Sequence, residues 1–376
     1  MASLGEKLGK ALLEAPLHLV PNGPPPPLPP PPDAVRRVLL VRPDERIGNL
    51  ILLTPLIDAA RRAWPQATLD LVVGGAMAPL MRGDPRFSRI HVFDKRALVR
   101  RPLGLIPLAH RLRRARYDLA IDASHPHHFS LTAALLTRVT GARWRLGYLS
   151  GPAHRLLNVG LTLAPGVHEH LTDVYLALLR RVAPEAENRG LSFPLAPAER
   201  AEARARLAAA GVPFDGPRLV GVHPGGRGAK RWPLENFVAA MREIAARGDA
   251  RCVVFHGPGE EALIAGVPPD AALVAPRLPL RLFAAGLSLC DLVVSGDTGP
   301  MHLSAAVGTP TLALFLHGNA MVFGPRGPRD RALHRPAGLT AAEVAAAAGE
   351  MLDAGRGNVS AGGGGEPAAQ RARADA

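Results

Sequence analysis

The sequence contains few cysteines, few aromatic residues and no long apolar run. Its two cysteines, Cys252 and Cys290, both lie among apolar neighbours. Two such thiols build neither a disulfide framework nor a metal site, so we expect both to be reduced core residues of a cytoplasmic protein. No apolar stretch reaches the roughly 18 residues of a membrane-spanning helix. The N-terminal segment also lacks the continuous apolar stretch and the cleavage site of a signal peptide.

The charge balance is basic and narrows the classes of partner. Lys and Arg number 45 against 32 Asp and Glu, which gives a formal net charge of +13. Such a surplus favours anionic partners, namely nucleotides, phosphorylated lipid, a membrane surface or nucleic acid. Aromatic residues make up only 4% of the chain and no nucleic-acid-binding motif occurs. We therefore do not expect nucleic acid as a partner.

The two ends of the chain differ in composition from the rest. Residues 1–34 form a proline-rich N-terminal extension in which residues 3–20 show the pattern of a short amphipathic helix. The stretch at 21–33 must be extended and stiff, because proline fixes φ and lacks an amide donor. The extension is either disordered or a helix that meets a membrane surface or a partner. The glycine-rich residues 355–376 are predicted to be a disordered tail.

Between these ends, strand and helix patterns alternate in two series. A break around residues 184–217 separates an N-terminal domain, 35–190, from a C-terminal domain, 191–354. Such alternation predicts parallel sheets that are covered on both faces. We therefore predict an α/β protein of two Rossmann-like, doubly wound parallel-sheet domains facing a central cleft, with ligands beyond the carboxyl ends of the strands. The first series has predicted strands at 35–42, 69–74, 88–94 and 117–122, and a helix at 101–115.

A polar turn, RPDERIGNLILLTP, follows the first strand at residues 42–55. Thr54 is predicted to cap a helix whose first residue is Pro55. The flexible turn and the amides of a helix start are suited to binding an anion. An ordinary loop with a solvated charge cluster explains the same residues equally well.

A glycine-rich stretch, HPGGRGAKRWPLENF, follows the first strand of the second series at residues 223–237. Gly225 and its neighbouring glycines let backbone amides approach a ligand closely, and Lys230 supplies positive charge. A helix start at Trp232-Pro233 completes the pattern of a phosphate-binding turn. The spacing is not that of a Walker loop. The alternative is a loop with incidental surface charges.

Two carboxylates follow the next strand, in the segment FHGPGEEALI at residues 255–264. Glu260 or Glu261 is placed to accept hydrogen bonds from ribose hydroxyls, as an acidic residue does in dinucleotide-binding folds. Acidic residues are also favoured at the start of any helix, because they interact with its dipole. Both explanations remain open for this pair.

The stretch SGDTGPMHLSAAVGTP, at residues 295–310, lies between two apolar strand patterns. Pro300 fits the first helical position, which places Asp297 and Thr298 at the helix start. A capping Asp and a core His302 are the structural explanation of these residues. Together with the preceding segments, however, they indicate a site for a nucleotide diphosphate and the hydroxyls of a sugar.

Three of these segments resemble signatures of one family, the ADP-heptose:lipopolysaccharide heptosyltransferases of glycosyltransferase family nine. SGDTGPMHLSAAVGTPTLALF looks like its donor-site signature and HPGGRGAKRWPLENF like its phosphate-binding segment. RIGNLILLTPLIDAARRAWPQATLDLVV is similar to its N-terminal signature. The resemblance spans roughly residues 36–353. It implies a GT-B fold, with the acceptor domain first, and an inverting, metal-independent transfer from a nucleotide-activated sugar that requires no cofactor.

The resemblance also assigns roles by position. Lys230 would hold a donor phosphate, and Asp297 with His302 would contact the donor sugar or phosphate. The amides around Thr298 and Gly299 would cradle the diphosphate. The remaining donor-side candidates are Gly225 and, for the ribose, Glu260 or Glu261.

One position departs from the family pattern and concerns the general base. In the family this base is the Asp of a Gly-Asp pair, whereas this chain has Gly48-Asn49. An amide cannot take a proton from the acceptor hydroxyl. Either Asp44 takes the role, with Glu45 as second candidate and Asn49 orienting the acceptor, or the chain is a non-catalytic nucleotide-binding homologue that acts as a scaffold or regulatory module.

The acceptor side has fewer distinctive residues. Arg46 and the loop DASHPHHFS, with His125 and His127, are candidates for acceptor contacts. The histidine spacing does not match a metal-binding pair. An arginine run within residues 100–114 either meets phosphorylated lipid headgroups or is a solvated helix face. We expect an ADP-heptose donor by default, a lipopolysaccharide-core or other surface-glycan acceptor, and a protein that is cytoplasmic or peripheral at the inner face of the plasma membrane.

Overall fold

The protein consists of two α/β units. The computed structural model describes residues 22, 25–95, 105–126, 129–164, 169–226, 228–318, 320–335 and 338–361. The chain divides into the units Met1–Arg189 and Gly190–Ala376. Each unit contains one six-stranded sheet, and every paired strand runs parallel to its neighbour. The predicted class, two doubly wound parallel-sheet domains, is therefore confirmed.

The sheet of the first unit is built from β1 (Arg37–Arg42), β2 (Thr68–Gly74), β3 (Arg89–Phe93), β4 (Leu119–Asp122), β5 (Trp144–Tyr148) and β6 (Val159–Leu161). The strand order is β3-β2-β1-β4-β5-β6, so the direction of winding reverses between β1 and β4. The residues from Val38 to Val41 in β1 are fully buried, as expected for a strand covered on both faces. Ligands of doubly wound sheets bind at the carboxyl ends of strands beside such a reversal.

The helices of the first unit cover this sheet. Their bounds are α1 (Ile47–Ile51), α2 (Thr54–Ala63), α3 (Ala78–Met81), α4 (Ile106–Arg114), α5 (Leu131–Val139) and α6 (Leu171–Leu179). Helix α6 packs against α2 and β5. Because Tyr175 lies on the fully buried part of α6, this packing places a phenol beside the end of β1.

The sheet of the second unit is built from β7 (Arg218–His223), β8 (Ala250–Val254), β9 (Leu273–Val274), β10 (Leu292–Gly296), β11 (Thr311–Phe315) and β12 (Arg331–His334). The order β12-β11-β10-β7-β8-β9 reverses between β10 and β7. Across this reversal Ser295 pairs in register with His223. The carboxyl ends of β7 and β10 therefore meet where a ligand is expected.

The helices of the second unit are α7 (Pro197–Ala209), α8 (Leu234–Ala246), α9 (Glu261–Ile264), α10 (Leu280–Leu287), α11 (Gly299–Ala306), α12 (Ala320–Phe323) and α13 (Ala341–Ala361). Helices α8 and α13 pack together over a core that includes Val220, Phe237 and Val344. Helix α7 packs against α10. None of the helices in the described part of the chain combines the length and the apolar composition needed to cross a membrane.

The turn after β1 differs from its prediction. Gly48 and Asn49 lie in the short helix α1 rather than in a flexible turn. Thr54 is the first residue of α2 instead of its N-cap, and its hydroxyl donates to the Ile51 carbonyl. The apolar residues of LILL are buried, and this burial winds the segment into a helical turn that the polar residues alone did not indicate.

Residue 22 and residues 25–34 of the N-terminal extension are described, and two of them contact the first unit. Trp144 Nε1 donates to the Pro27 carbonyl at 3.1 Å, and the Asn22 side chain accepts from Arg145 Nη2 at 2.9 Å. The amphipathic pattern at residues 3–20 lies outside the described residues. At the other end α13 continues to Ala361, which makes the first part of the predicted tail helical.

Candidate functional site

A glycine-rich turn leaves the end of β7 in the second unit. A Cβ on Gly225 would lie 1.9 Å from Glu260 Oε1, so only glycine leaves room for this carboxylate. Gly228 has φ +56°, a conformation that favours glycine. These two positions explain why the turn is glycine-rich. The carbonyls of Gly225 and Lys230 lie about 4.0 Å and 3.8 Å from a Cβ placed on Gly296, at the end of β10.

Lys230 and Asp297 form an ion pair at this point, with Nζ and Oδ2 2.5 Å apart. The Lys230 side chain is 42% exposed, whereas that of Asp297 is 12% exposed. Lys230 Nζ also lies 6.0 Å from the centre of the Phe323 ring. The segment thus presents an accessible ammonium group to an anion, while the carboxylate is held within the protein.

Helix α11 begins beside this ion pair. Thr298 is its N-cap residue and Gly299 its first residue, so Pro300 occupies the second helical position instead of the predicted first. The Thr298 side chain makes no capping hydrogen bond. The Thr298 side chain therefore leaves the first amides of α11 to another acceptor, and an anion suits this position. His302, one turn further on, is buried at 4% exposure.

The structure separates the two carboxylates that the sequence left as alternatives. His223 Nε2 lies 3.2 Å from Glu260 Oε2, and the Gly257 amide donates to the same oxygen at 2.6 Å. Glu261 is more than half exposed and lies 3.9 Å from Arg277 in an ion pair. Of the two carboxylates, Glu260 is therefore the one that joins the residues around the end of β7.

Glu260 keeps its negative charge in this setting. Burial raises the pKa of its carboxyl, but hydrogen bonds from His223 and the Gly257 amide, with the nearby charge of His256, outweigh burial and lower the pKa overall. An ionised carboxylate accepts hydrogen bonds only. Glu260 is therefore suited to hydroxyl groups of a ligand.

A second group of polar residues lies at the reversal point of the first unit. The guanidinium of Arg42, at the end of β1, is 1% exposed and donates to the Ala123 carbonyl and, at 2.5 Å, to the Tyr175 hydroxyl. Its Nη2 lies 2.7 Å from Asp44 Oδ2. Asn49 Nδ2 donates to the same oxygen at 3.0 Å. Two nitrogen atoms thus fix the carboxylate of Asp44, whose side chain is 35% exposed.

The other candidates of the first unit are placed less distinctly. Arg46 is exposed and is the N-cap residue of α1, and its amide donates to Asp44 Oδ1 at 3.3 Å. Glu45 is exposed, while its Cγ lies close to the end of β2 at Gly74. His125 is half-buried, and His127 lies outside the described residues.

Asp122, at the end of β4, is a buried carboxyl next to the Arg42 cluster. Burial raises its pKa to about 6, although hydrogen bonds from Ser124 and the charge of Arg42 act in the opposite direction. Across the ranges that the structure describes, no group of three or more His, Cys, Asp or Glu residues is arranged to hold a metal ion.

Three residues of these clusters escaped prediction. Tyr175 lies in an apolar helix, and its hydrogen-bond partner Arg42 is 133 positions away in the sequence. In the sequence, His223 and Ser295 stand out only as the first residues of the segments at 223–237 and 295–310, and neither is assigned a role. For His223 and Ser295 the usable signal is a position at the carboxyl end of a strand beside the winding reversal, and recognising that position requires the strand order.

Comparison with known proteins identifies related chains. The family model "Glycosyltransferase family 9 (heptosyltransferase)" matches residues 105–345, more than half of the chain. A curated relative, lipopolysaccharide heptosyltransferase 3 of Escherichia coli, is 24% identical over 281 residues, which cover 71% of this chain and 80% of the relative.

Solved structures of low sequence identity share the fold. The family 9 glycosyl transferase of Veillonella parvula has a TM-score of 0.74 and 22% identity, with 84% of this chain and 97% of that chain covered. The E. coli heptosyltransferase WaaC with ADP-2-deoxy-2-fluoro heptose has a TM-score of 0.61 and 23% identity, with 84% and 99% covered. Both support the arrangement of two parallel-sheet units described above.

Proposed function

The chain belongs to glycosyltransferase family 9, and we propose that it transfers heptose from ADP-heptose to a glycan of the lipopolysaccharide core. Its relatives include lipopolysaccharide heptosyltransferases, and one solved neighbour holds an ADP-linked heptose analogue. The second unit would bind the donor and the first unit would bind the acceptor and supply the base.

The donor proposal rests on the Lys230–Asp297 ion pair at the start of α11. In our proposal the Lys230 ammonium and the uncapped amides from Gly299 onward bind the diphosphate. Asp297 accepts from hydroxyls of the donor sugar, and Glu260 accepts from hydroxyls of the ribose. His302, a buried residue of the first turn of α11, contributes to donor binding in our proposal by supporting the position of the helix.

An inverting transfer needs a base that takes the proton of the acceptor hydroxyl. We assign this role to Asp44, because Arg42 and Asn49 fix its carboxylate while leaving it partly accessible. Asn49 therefore orients the base in our proposal. The developing charge on the leaving diphosphate is neutralised by Lys230 and the α11 amides. We accordingly propose that the reaction uses no cofactor besides its nucleotide-sugar donor.

The acceptor and the cellular location complete the proposal. Arg46 is exposed beside Asp44 and suits an anionic acceptor, as does the overall charge of +13. Arg111, Arg113 and Arg114 in the last turn of α4 would meet anionic lipid headgroups around a glycolipid acceptor. The two cysteines are free and buried, which fits a reducing compartment. We propose a cytoplasmic enzyme that works peripherally at the inner face of the plasma membrane.

Calorimetric binding of ADP, UDP, GDP and CDP to the full chain tests the donor proposal. We expect selective binding of ADP, and a loss of about 10- to 100-fold in affinity for Lys230→Ala, because a charge-assisted contact to phosphate disappears. Arg242→Ala is the matched control, since Arg242 is an exposed cation of the same unit, paired with Asp270 at 2.8 Å. Selective binding of another nucleotide would overturn the ADP assignment, and equal losses in both variants would overturn the role of Lys230.

A further inference from the structure

His223 lies at the winding reversal of the second sheet and contacts residues from two other segments. It is the last residue of β7, is 3% exposed, and pairs in register with Ser295 of β10. Its Nε2 lies 3.2 Å from Glu260 Oε2, and its Nδ1 lies 3.5 Å from Thr298 Oγ1. One buried imidazole therefore connects the turn after β8 with the start of α11.

The chemistry of the two partners fixes which ring nitrogen of His223 carries the proton. A carboxylate accepts hydrogen bonds only, so Nε2–H donates to Glu260. Nδ1 then faces the Thr298 hydroxyl, at the outer limit of a hydrogen bond. Thr298 Oγ1 is held in turn by Ser295 Oγ at 3.1 Å. The Phe283 ring packs nearly perpendicular to the imidazole, with the two ring centres 6.3 Å apart, and gives the imidazole an apolar neighbour.

Glu260 depends on this contact for its position. It is the N-cap residue of the four-residue helix α9, but its side chain accepts no capping hydrogen bond from this helix. Its Oε2 is fixed by His223 and the Gly257 amide, and its Oε1 occupies the space that a side chain at residue 225 would fill. Without His223, the only other described hydrogen bond to its carboxylate is the one from its own turn at Gly257.

We propose that His223 is a positioning residue. It holds Glu260 in the orientation in which the carboxylate accepts hydrogen bonds from the ribose hydroxyls of the donor nucleotide. Through Thr298 it ties this orientation to the start of α11, where the diphosphate binds. The inference rests on the proposed function, because it takes Glu260 as the ribose contact. It predicts that discrimination between ribose and deoxyribose requires His223 as well as Glu260.

The test compares ADP with 2′-deoxy-ADP and 3′-deoxy-ADP by calorimetry on the full chain. Wild type should prefer ADP over at least one deoxy analogue by about tenfold or more, because a buried acceptor loses its hydroxyl partner. His223→Leu should bind ADP less tightly and reduce this preference to about threefold or less. His223→Gln, whose amide can donate near the position of Nε2, should restore most of it.

Two further variants separate positioning from a general loss of structure. Glu260→Gln should lose the preference to the same extent as His223→Leu, and the double variant should be no worse than either single one. His256→Gln is the matched control. It changes a neighbouring buried histidine whose charge lowers the pKa of Glu260 but for which no hydrogen bond to Glu260 is described. This control should keep the preference.

The possible outcomes are distinguishable. If His223→Leu binds ADP but keeps the full preference, or if it loses the preference and His223→Gln does not regain it, the positioning role is wrong while the proposed function stands. If wild type binds ADP without any preference, Glu260 does not read the ribose and the inference fails with it. If wild type does not bind ADP, the proposed function itself fails.

Discussion

Asp44 Oδ2 lies next to two nitrogen atoms: Arg42 Nη2 forms an ion pair with it at 2.7 Å, and Asn49 Nδ2 donates a hydrogen bond to it at 3.0 Å. A carboxylate held by a buried guanidinium and a helix-borne amide keeps a fixed direction, which a base in a transfer reaction requires. The pair Asp44–Asn49 also places a carboxyl group beside the position where the family's Gly-Asp pair carries its acid. The structure thus places the carboxylate that we propose as the base within one hydrogen bond of the substituted position.

Exchanging the two side chains tests this relationship. In Asp44→Asn/Asn49→Asp the hydrogen bond is reversed, and the carboxylate moves to position 49. We expect heptose transfer to recover by about tenfold over Asp44→Asn alone, because part of the roughly 10²–10⁴-fold contribution of a general base returns. The rate of single-turnover transfer from ADP-heptose measures this recovery. A double variant no more active than Asp44→Asn would show that position 49 cannot carry the base.

Removing the Tyr175 hydroxyl should weaken the support of Asp44. Tyr175→Phe leaves the buried Arg42 one acceptor short, which we expect to cost about 1.5–3 kcal/mol in the free energy of unfolding. Because Arg42 also holds Asp44, kcat should fall with an unchanged Kd for ADP. Urea unfolding and steady-state kinetics measure the two effects.

Tyr148→Phe is the control for this effect. Tyr148 is buried in the same unit and donates to the Val174 carbonyl at 2.6 Å. Its loss should lower stability without lowering kcat. An equal drop of kcat in both variants would mean that the effect is one of general stability.

Asp297→Ala should affect the binding of the donor's nucleotide and the binding of its sugar differently. Asp297 neutralises Lys230 at 2.5 Å, so its removal leaves the ammonium to the diphosphate. We expect ADP to bind as tightly as to wild type or more tightly. ADP-heptose should bind about tenfold or more weakly, because the sugar hydroxyls lose a charged acceptor. Calorimetry with both ligands decides, and equal losses for ADP and ADP-heptose would contradict the sugar contact.

The buried Asp122 predicts a pH-dependent stability. Its pKa is raised by burial from 3.8 to about 6, so the native state binds more protons than the unfolded state between these values. The free energy of unfolding therefore falls as pH rises from about 4 to 6, by up to about 3 kcal/mol. Asp122→Asn should remove this cost and be more stable than wild type near pH 7.5.

Urea unfolding at about pH 4, 5.5 and 7.5 measures the effect of Asp122→Asn. The stabilisation should shrink toward acid pH and vanish below about pH 4, where the carboxyl is protonated in both states. A stability difference that does not change with pH would show that Asp122 is not the titrating group.

The sequence predicted the larger elements and the donor-side segments, because their signals are local. The apolar runs of β1, β7 and β10 and the glycine-rich turn with Lys230 all appear within a few residues. The strands β5 and β6 were not predicted, since Trp144–Tyr148 carries an arginine and a glycine, and the three residues of Val159–Leu161 are too few for a pattern.

The site contacts that were missed are long-range. Tyr175 and Arg42, or His223 and Glu260, are brought together by strand order and helix packing, which no local pattern encodes. The sequence also left Glu260 and Glu261 undecided. The two residues are adjacent at the start of α9, and only the folded chain shows which of the two side chains points to the end of the sheet. These contacts require the folded sheet, whereas the residue types could be selected from the sequence.

The most direct measurement is heptose transfer from ADP-heptose to a lipopolysaccharide-core acceptor by wild type, Asp44→Asn and Glu45→Gln. We expect transfer by wild type, a fall in kcat of roughly 10²–10⁴-fold for Asp44→Asn with ADP affinity retained, and near-wild-type activity for Glu45→Gln. Transfer by Asp44→Asn at the wild-type rate would contradict the assignment of the base. No transfer by wild type that binds ADP selectively would contradict the proposed donor sugar or acceptor.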